Sequence, residues 1–141
     1  MNKKLNFEIR INAPKEKVWK TLWDDKTYRQ WTSVFSPDSH AKSDWKEGSR
    51  IEFGDGKGNG MFSLIEKKTD NVQMTFKHLG ELKDGEEKLS DWGDARESYF
   101  LSEHNGQTDL KVELDSVEEF LDFFKEVFPK ALQLVKQISE K

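Results

Sequence analysis

The sequence has no cysteine, which excludes disulfides, a thiolate nucleophile and a cysteine-ligated zinc, and fits a reducing compartment. Histidine is scarce: His40, His78 and His104 are the only imidazoles. No two of them stand at the i, i+4 spacing of a helical metal site. No metal and no cofactor are therefore expected. Nowhere is there a run of about 18 apolar residues, the length a membrane-crossing helix needs. The opening MNKKLNFEIRINAP alternates where a signal peptide would run apolar. An excess of positive charge is also missing. The 23 Lys and Arg against 27 Asp and Glu leave a formal net charge of -4, so nothing in the overall balance attracts nucleic-acid phosphates or an anionic leaflet. These absences predict a cytoplasmic, monomeric chain that neither inserts in membranes nor binds nucleic acid.

Aromatic residues are plentiful, with 10 Phe, 5 Trp and 2 Tyr. They keep a polar, charge-rich chain out of the disordered class and predict a core built on rings. At 141 residues the length fits one domain, residues 1–141, with no internal repeat.

Leu5, Phe7, Ile9 and Ile11 alternate with polar residues and predict a strand with one wet face. Asn12 and Pro14 then suit the cap and first turn of a short helix to Trp23, and a second helical piece spans Asp25 to Trp31. Strands are expected near Lys42 to Trp45, Ser49 to Phe53 and Met61 to Lys67. The glycine run Gly54 to Gly60 lacks the Gly-Lys-Ser/Thr of a phosphate loop and reads as a hairpin tip. Val72, Met74, Phe76 and His78 line one face of a further strand that ends near Gly80. Residues 81–95 are polar and acidic and read as a long loop, in which Leu89 and Trp92 could form a lid. Glu97 to His104 and Gln107 to Leu114 form a hairpin turned at Asn105-Gly106. From Ser116 the period changes to about 3.6, with an apolar face from Val117 to Ile138 and Ser116 and Glu119 spaced as a capping box. This predicts a terminal helix of about 25 residues, bent at Pro129.

The order of elements predicts an α+β fold: a curved antiparallel sheet of about six or seven strands wrapped around a long C-terminal helix, with two short helices after strand 1. Space left between sheet and helix would suit an apolar ligand.

The segment FEIRINAPKEKVWKTLWDDKTYRQW is similar to the signature of the START-like, helix-grip superfamily, also called SRPBCC. Within it the chain most resembles the domain homologous to the carboxyl-terminal part of activators of the 90-kDa heat-shock protein ATPase. Glu47-Gly48 before a strand, Gly106 and Thr108 in the last hairpin, and Pro129 before Ala131-Leu132 match that pattern. The resemblance implies the helix-grip fold over nearly the whole chain. For function it implies a range, from lipid carriers and hormone receptors to polyketide cyclases. It also implies chaperone contact, although the amino-terminal chaperone-binding domain of the eukaryotic activators has no counterpart in the sequence.

Candidate lining residues for a ligand cavity are Trp31, Phe53, Met74, Phe76, His78, Tyr99, Phe120, Phe124 and Phe128. Each has an alternative reading as core packing. His78 could be a core imidazole satisfied by a neighbour, or could orient a polar ligand group or act as acid or base. Three functional readings stay open: a non-catalytic carrier or sensor of a small hydrophobic molecule, a cyclase-like or hydrolase-like enzyme using His78 or Tyr99, and a chaperone-interaction module.

Overall fold

The computed structural model describes residues 2–89 and 95–141. Eight strands form one antiparallel sheet: β1 (Asn2–Ile11), β2 (His40–Lys42), β3 (Arg50–Gly54), β4 (Gly60–Thr69), β5 (Gln73–Lys83), β6 (Glu86–Leu89), β7 (Arg96–His104) and β8 (Gln107–Val117). The helices are α1 (Lys15–Trp23), α2 (Asp25–Thr32) and α3 (Leu121–Ser139), the last preceded by a 3-10 turn at Glu118–Phe120. Strand order is β1-β8-β7-β5-β4-β3-β2, with β6 added to the end of β5. This is the α+β helix-grip arrangement, with two short helices after the first strand and a C-terminal helix on the sheet.

The alternation in β1 sets its role. It pairs with β8 along its whole length, from Asn2 opposite Val117 to Ile11 opposite Thr108, and its apolar side chains turn toward α3, where Phe7 stacks on Phe128 at 5.0 Å. Helix α1 opens directly after Pro14, whose φ of -69° already suits a helix start. Asn12 does not cap it. The Pro14 carbonyl takes the first helical amides, and the Asn12 amide instead donates to Glu140 at the far end of α3. The Thr108 hydroxyl donates to the Ala13 carbonyl at 2.7 Å, fixing the angle at which the chain leaves β1. Val18 and Leu22 of α1, Ala131 and Val135 of α3, and Ile51, Ile65, Met74, Phe76, Leu110 and Val112 of the sheet have no measurable exposure and belong to one core.

Several expectations need correction. Strand β8 continues to Val117, so Ser116 is a buried strand residue rather than a helix cap, and α3 has 19 residues rather than about 25. The long β1–β8 ladder outweighs the local capping pattern, because each further residue of β8 finds a β1 partner. The helix then runs through Pro129 without a break. Residues 81–95 are not one loop: β5 extends to Lys83, turns at Asp84-Gly85 and returns as β6. Leu89 is 78% exposed and closes nothing, while Trp92 lies outside the described residues. Finally, Val72 sits in the turn before β5, 44% exposed, and β2 lies at His40–Lys42 instead of reaching Trp45.

Two ion pairs tie remote parts of the chain, and a third lies within one turn at the end of α3. Hydrogen bonds from Arg10 to Asp109, Arg96 to Glu66 and Lys136 to Glu140 hold these carboxyls below their ordinary range. A carboxyl with a lower pKa in the folded than in the unfolded chain stabilises the fold above the unfolded value, and that contribution disappears as pH falls toward the folded value. The urea midpoint is therefore expected to drop as the solution is acidified below about pH 4.5. A midpoint unchanged down to pH 3 would show that these exposed pairs contribute nothing, the usual fate of isolated surface bridges.

Candidate functional site

The sheet forks at His78. On one side of β5, residues Gln73 to Lys77 pair with β7, while Gly80 to Lys83 pair with β6. His78 stands between the two partners, its amide donating to the Ala95 carbonyl at 2.9 Å. On the other side of β5, the β4 register shifts between Phe62 and Ser63, opposite this same point. Such an irregularity re-aims side chains. Here it brings the Ser63 hydroxyl within 2.7 Å of His78 Nδ1.

The imidazole continues the series inward. His78 Nε2 lies 3.2 Å from Glu97 Oε1, and the Tyr99 hydroxyl donates to Glu97 Oε2. Glu97 thus takes a hydrogen bond on each of its two oxygens, and the Ser63 hydroxyl and Nδ1 share the bond on the other side of the ring. Both tyrosines at this place stay phenols. Burial, with the negative charge of Glu97 added, pushes the Tyr99 and Tyr28 hydroxyls well above their ordinary pKa.

Glu97 and Tyr99 face a cavity of about 520 Å³ between the inner sheet and the start of α3. Its floor carries His78, Glu97, Tyr99, Tyr28 and Trp31, and its α3 side carries Phe120, Phe123, Phe124 and Phe128. Phe35, from the segment after α2, meets Phe128 edge-on at 5.1 Å. Phe120 and Phe123 are 46% and 42% exposed, so they form the mouth. Phe53 closes the opposite wall and touches the ring of His78. The tips of the β3–β4 and β5–β6 hairpins are joined beside it: the Gly85 amide donates to the Gly58 carbonyl at 3.0 Å, and the Asp84 amide to Asn59 Oδ1.

Of the residues singled out in the sequence, Trp31, Phe53, His78, Tyr99, Phe120, Phe124 and Phe128 lie on this cavity. Met74 and Phe76 do not. Both are fully buried: Phe76 packs on Trp23, Phe53 and Tyr99, and Met74 faces Trp19, Trp23 and Trp45 instead. Sequence reasoning missed Tyr28, Phe35, Phe123 and above all Glu97. The signal for Glu97 was available, since it is two residues before Tyr99 on the same strand and must share its face. His78 is a satisfied imidazole that also reaches the cavity wall. Ser63 is wholly buried and off that wall, so its hydroxyl orients the ring and is not presented to a ligand. Among the described residues, no group of three or more His, Asp or Glu is placed to hold a metal, and no helix is long and apolar enough to cross a membrane.

The fold and sequence have known counterparts. The chain aligns over 98% of its length with the solution structure of the Aha1 dimer from Colwellia psychrerythraea, covering 96% of that chain at TM-score 0.73 and 21% identity. It aligns over 98% with crystalline CalU16 from Micromonospora echinospora, covering 76% of that chain at TM-score 0.71 and 18% identity. It also aligns over 96% with protein MLL2253 from Mesorhizobium loti, covering 96% of that chain at TM-score 0.71 and 16% identity. At these identities the likeness concerns the fold. No curated protein matches the sequence. The family described as activator of Hsp90 ATPase homolog 1-like protein matches residues 12–133, most of the chain. The protein belongs to that family, within the helix-grip group that the opening segment of its sequence resembles.

Proposed function

We propose that the protein binds a small apolar or aromatic molecule between the curved sheet and α3 and carries or senses it without transforming it. The observation that supports this is the aromatic cavity of about 520 Å³, a volume within the range of small-molecule sites. Burial of apolar surface against its rings would supply most of the affinity, at about 25 cal/mol per Å². The hydrogen-bonded groups on its floor would fix orientation. The Ser63–His78–Glu97 series resembles a hydrolytic triad in composition, but its hydroxyl is buried away from the space a substrate would fill. That placement favours binding over acyl transfer. Acid–base chemistry by His78 and Tyr99 is the competing reading, since both reach the cavity. Its mark would be turnover lost in a His78→Ala, Tyr99→Phe double variant.

The test uses the neutral fluorophore N-phenyl-1-naphthylamine. Phe124 is half-buried on the cavity wall between Phe120 and Phe128, so Phe124→Trp narrows the space from one side. The expected result is roughly tenfold or greater loss of probe affinity with the thermal midpoint little changed. Equal affinity in wild type and variant would put the binding site elsewhere. Failure of the wild type to bind this or any neutral probe would overturn the reading in favour of a chaperone-interaction module whose cavity is filled.

A further inference from the structure

The charges on the cavity wall are all of one sign. Asp55, Glu81, Glu97 and Asp115 line it, and among the described residues no Lys or Arg does. Residues 90–94, Ser-Asp-Trp-Gly-Asp, contain no base either. These four carboxylates are not equivalent. Asp55 accepts from the Lys57 and Asn59 amides of its own loop. Glu81 stands opposite Lys88 in the β5–β6 register, and Asp115 opposite Lys4 in the β1–β8 register, so a cation adjoins each. Glu97 has no Lys or Arg opposite it, and among the described residues the one group beside it that can carry a positive charge is the imidazole of His78, 3.2 Å away. Its cross-strand partners are Phe76 and Leu114, and the guanidinium of adjacent Arg96 is directed to Glu66.

Glu97 accepts from His78 and from Tyr99, whereas a carboxylate offers about four acceptor positions. Its side chain keeps 17% exposure on the cavity wall. The unused acceptor capacity therefore faces the space in which an apolar molecule would lie. Around it stand the rings of Tyr28, Tyr99 and Trp31, whose faces, unlike their edges, attract cations. Burying a ligand carboxylate here would place two like charges together in a desolvated site, which costs heavily unless one takes up a proton. An ammonium in the same place would find a carboxylate partner and an aromatic surround.

Resting on the ligand-cavity reading, we propose that the molecule this cavity selects is an apolar or aromatic amine. Its cationic nitrogen seats on Glu97 and its hydrocarbon body lies among the phenylalanines of α3, while fatty and aromatic carboxylic acids are rejected. The protein is thus a carrier or sensor of organic cations, not of fatty acids.

The test is a matched series differing only in the polar head: 2-naphthylmethylamine, 2-naphthylmethanol and 2-naphthoate, titrated at pH 7 by calorimetry and followed by amide NMR. The amine should bind at least tenfold more tightly than the alcohol, and the carboxylate more weakly than both, with amine-induced shifts centred on Glu97, His78 and Tyr99. In Glu97→Gln the amine should fall to the level of the alcohol. Amide NMR shifts unchanged outside the surroundings of residue 97, and alcohol-induced shifts that still fall on Phe124 and Phe128, report that the cavity is still formed. Binding of all three heads with equal affinity, or an amine preference that survives in Glu97→Gln, would overturn the cation assignment and leave the cavity reading standing. Binding of none of the three would overturn both.

Discussion

Trp31→Ala is expected to cost the fold about 3–5 kcal/mol, the usual range for removing a large buried aromatic side chain. Trp31 is 1% exposed. Its indole nitrogen donates to the Leu22 carbonyl at 3.1 Å, joining the end of α1 to α2, and its ring meets Tyr28 and Tyr99 edge-on at 5.3 and 6.3 Å. Truncation removes the apolar burial, leaves the Leu22 carbonyl without this donor, and opens a void continuous with the ligand cavity. Against a typical total stability of about 5–15 kcal/mol, such a loss leaves a substantial unfolded fraction. Urea unfolding of Trp31→Ala and Trp31→Phe measures it, and the phenylalanine variant should recover part of the loss. A cost below about 1 kcal/mol would mean that α2 collapses into the space, contrary to the packing described.

Gly60→Ala should destabilise the fold by the opposite mechanism, insertion rather than removal. Gly60 starts β4 at φ +153°, and a Cβ there would lie 1.9 Å from the Phe53 carbonyl oxygen and 2.7 Å from Gly54 Cα. Both obstacles are backbone of the paired strand, so no rotamer change relieves the clash. The hairpin must open at its tip, and overpacking typically costs about 1–3 kcal/mol, the upper end applying where backbone cannot yield. The opening would also displace Phe53 from the cavity wall. A urea midpoint lowered together with probe affinity is the expected outcome. Wild-type stability in Gly60→Ala would show that the β3–β4 tip is not closed in solution as it is in the structure.

Much of the fold was readable because its elements carry a single period. The alternation of Leu5 to Ile11 and the 3.6-residue stripe of α3 each follow from one face meeting the core. Asn105-Gly106 marked its hairpin through the positive φ both residues adopt, 54° and 79°. Asp84-Gly85 carries the same chemistry, with φ of 52° and 81°. It was passed over because β6 is exposed along its length and so shows no hydrophobic alternation. The start of α3 was misplaced for a different reason: the Ser116–Glu119 pattern is local, whereas the strand that overrides it depends on β1, more than a hundred residues earlier in the chain. The aromatic part of the site was legible and its charge was not. Rings declare themselves by composition, but a carboxylate's facing on a strand depends on register, and at Glu97 the decisive features are which residues stand opposite it and where Arg96 turns.

The order of the sheet has a bearing on how the protein behaves in a crowded solution. Among the described residues three strands, β1, β2 and β6, each pair on one side only, and an open edge is a template on which a foreign strand can add. Two of them, β2 and β6, are only three and four residues long, too short to nucleate an extended ladder. The third, β1, is ten residues long but carries Lys3, Lys4, Glu8 and Arg10 exposed along it. A strand arriving there would have to bring its own backbone against this row of fixed charges of both signs. In a chain rich in aromatics and in β-structure, the charged residues of β1 and the brevity of β2 and β6 thus work against edge-to-edge self-assembly.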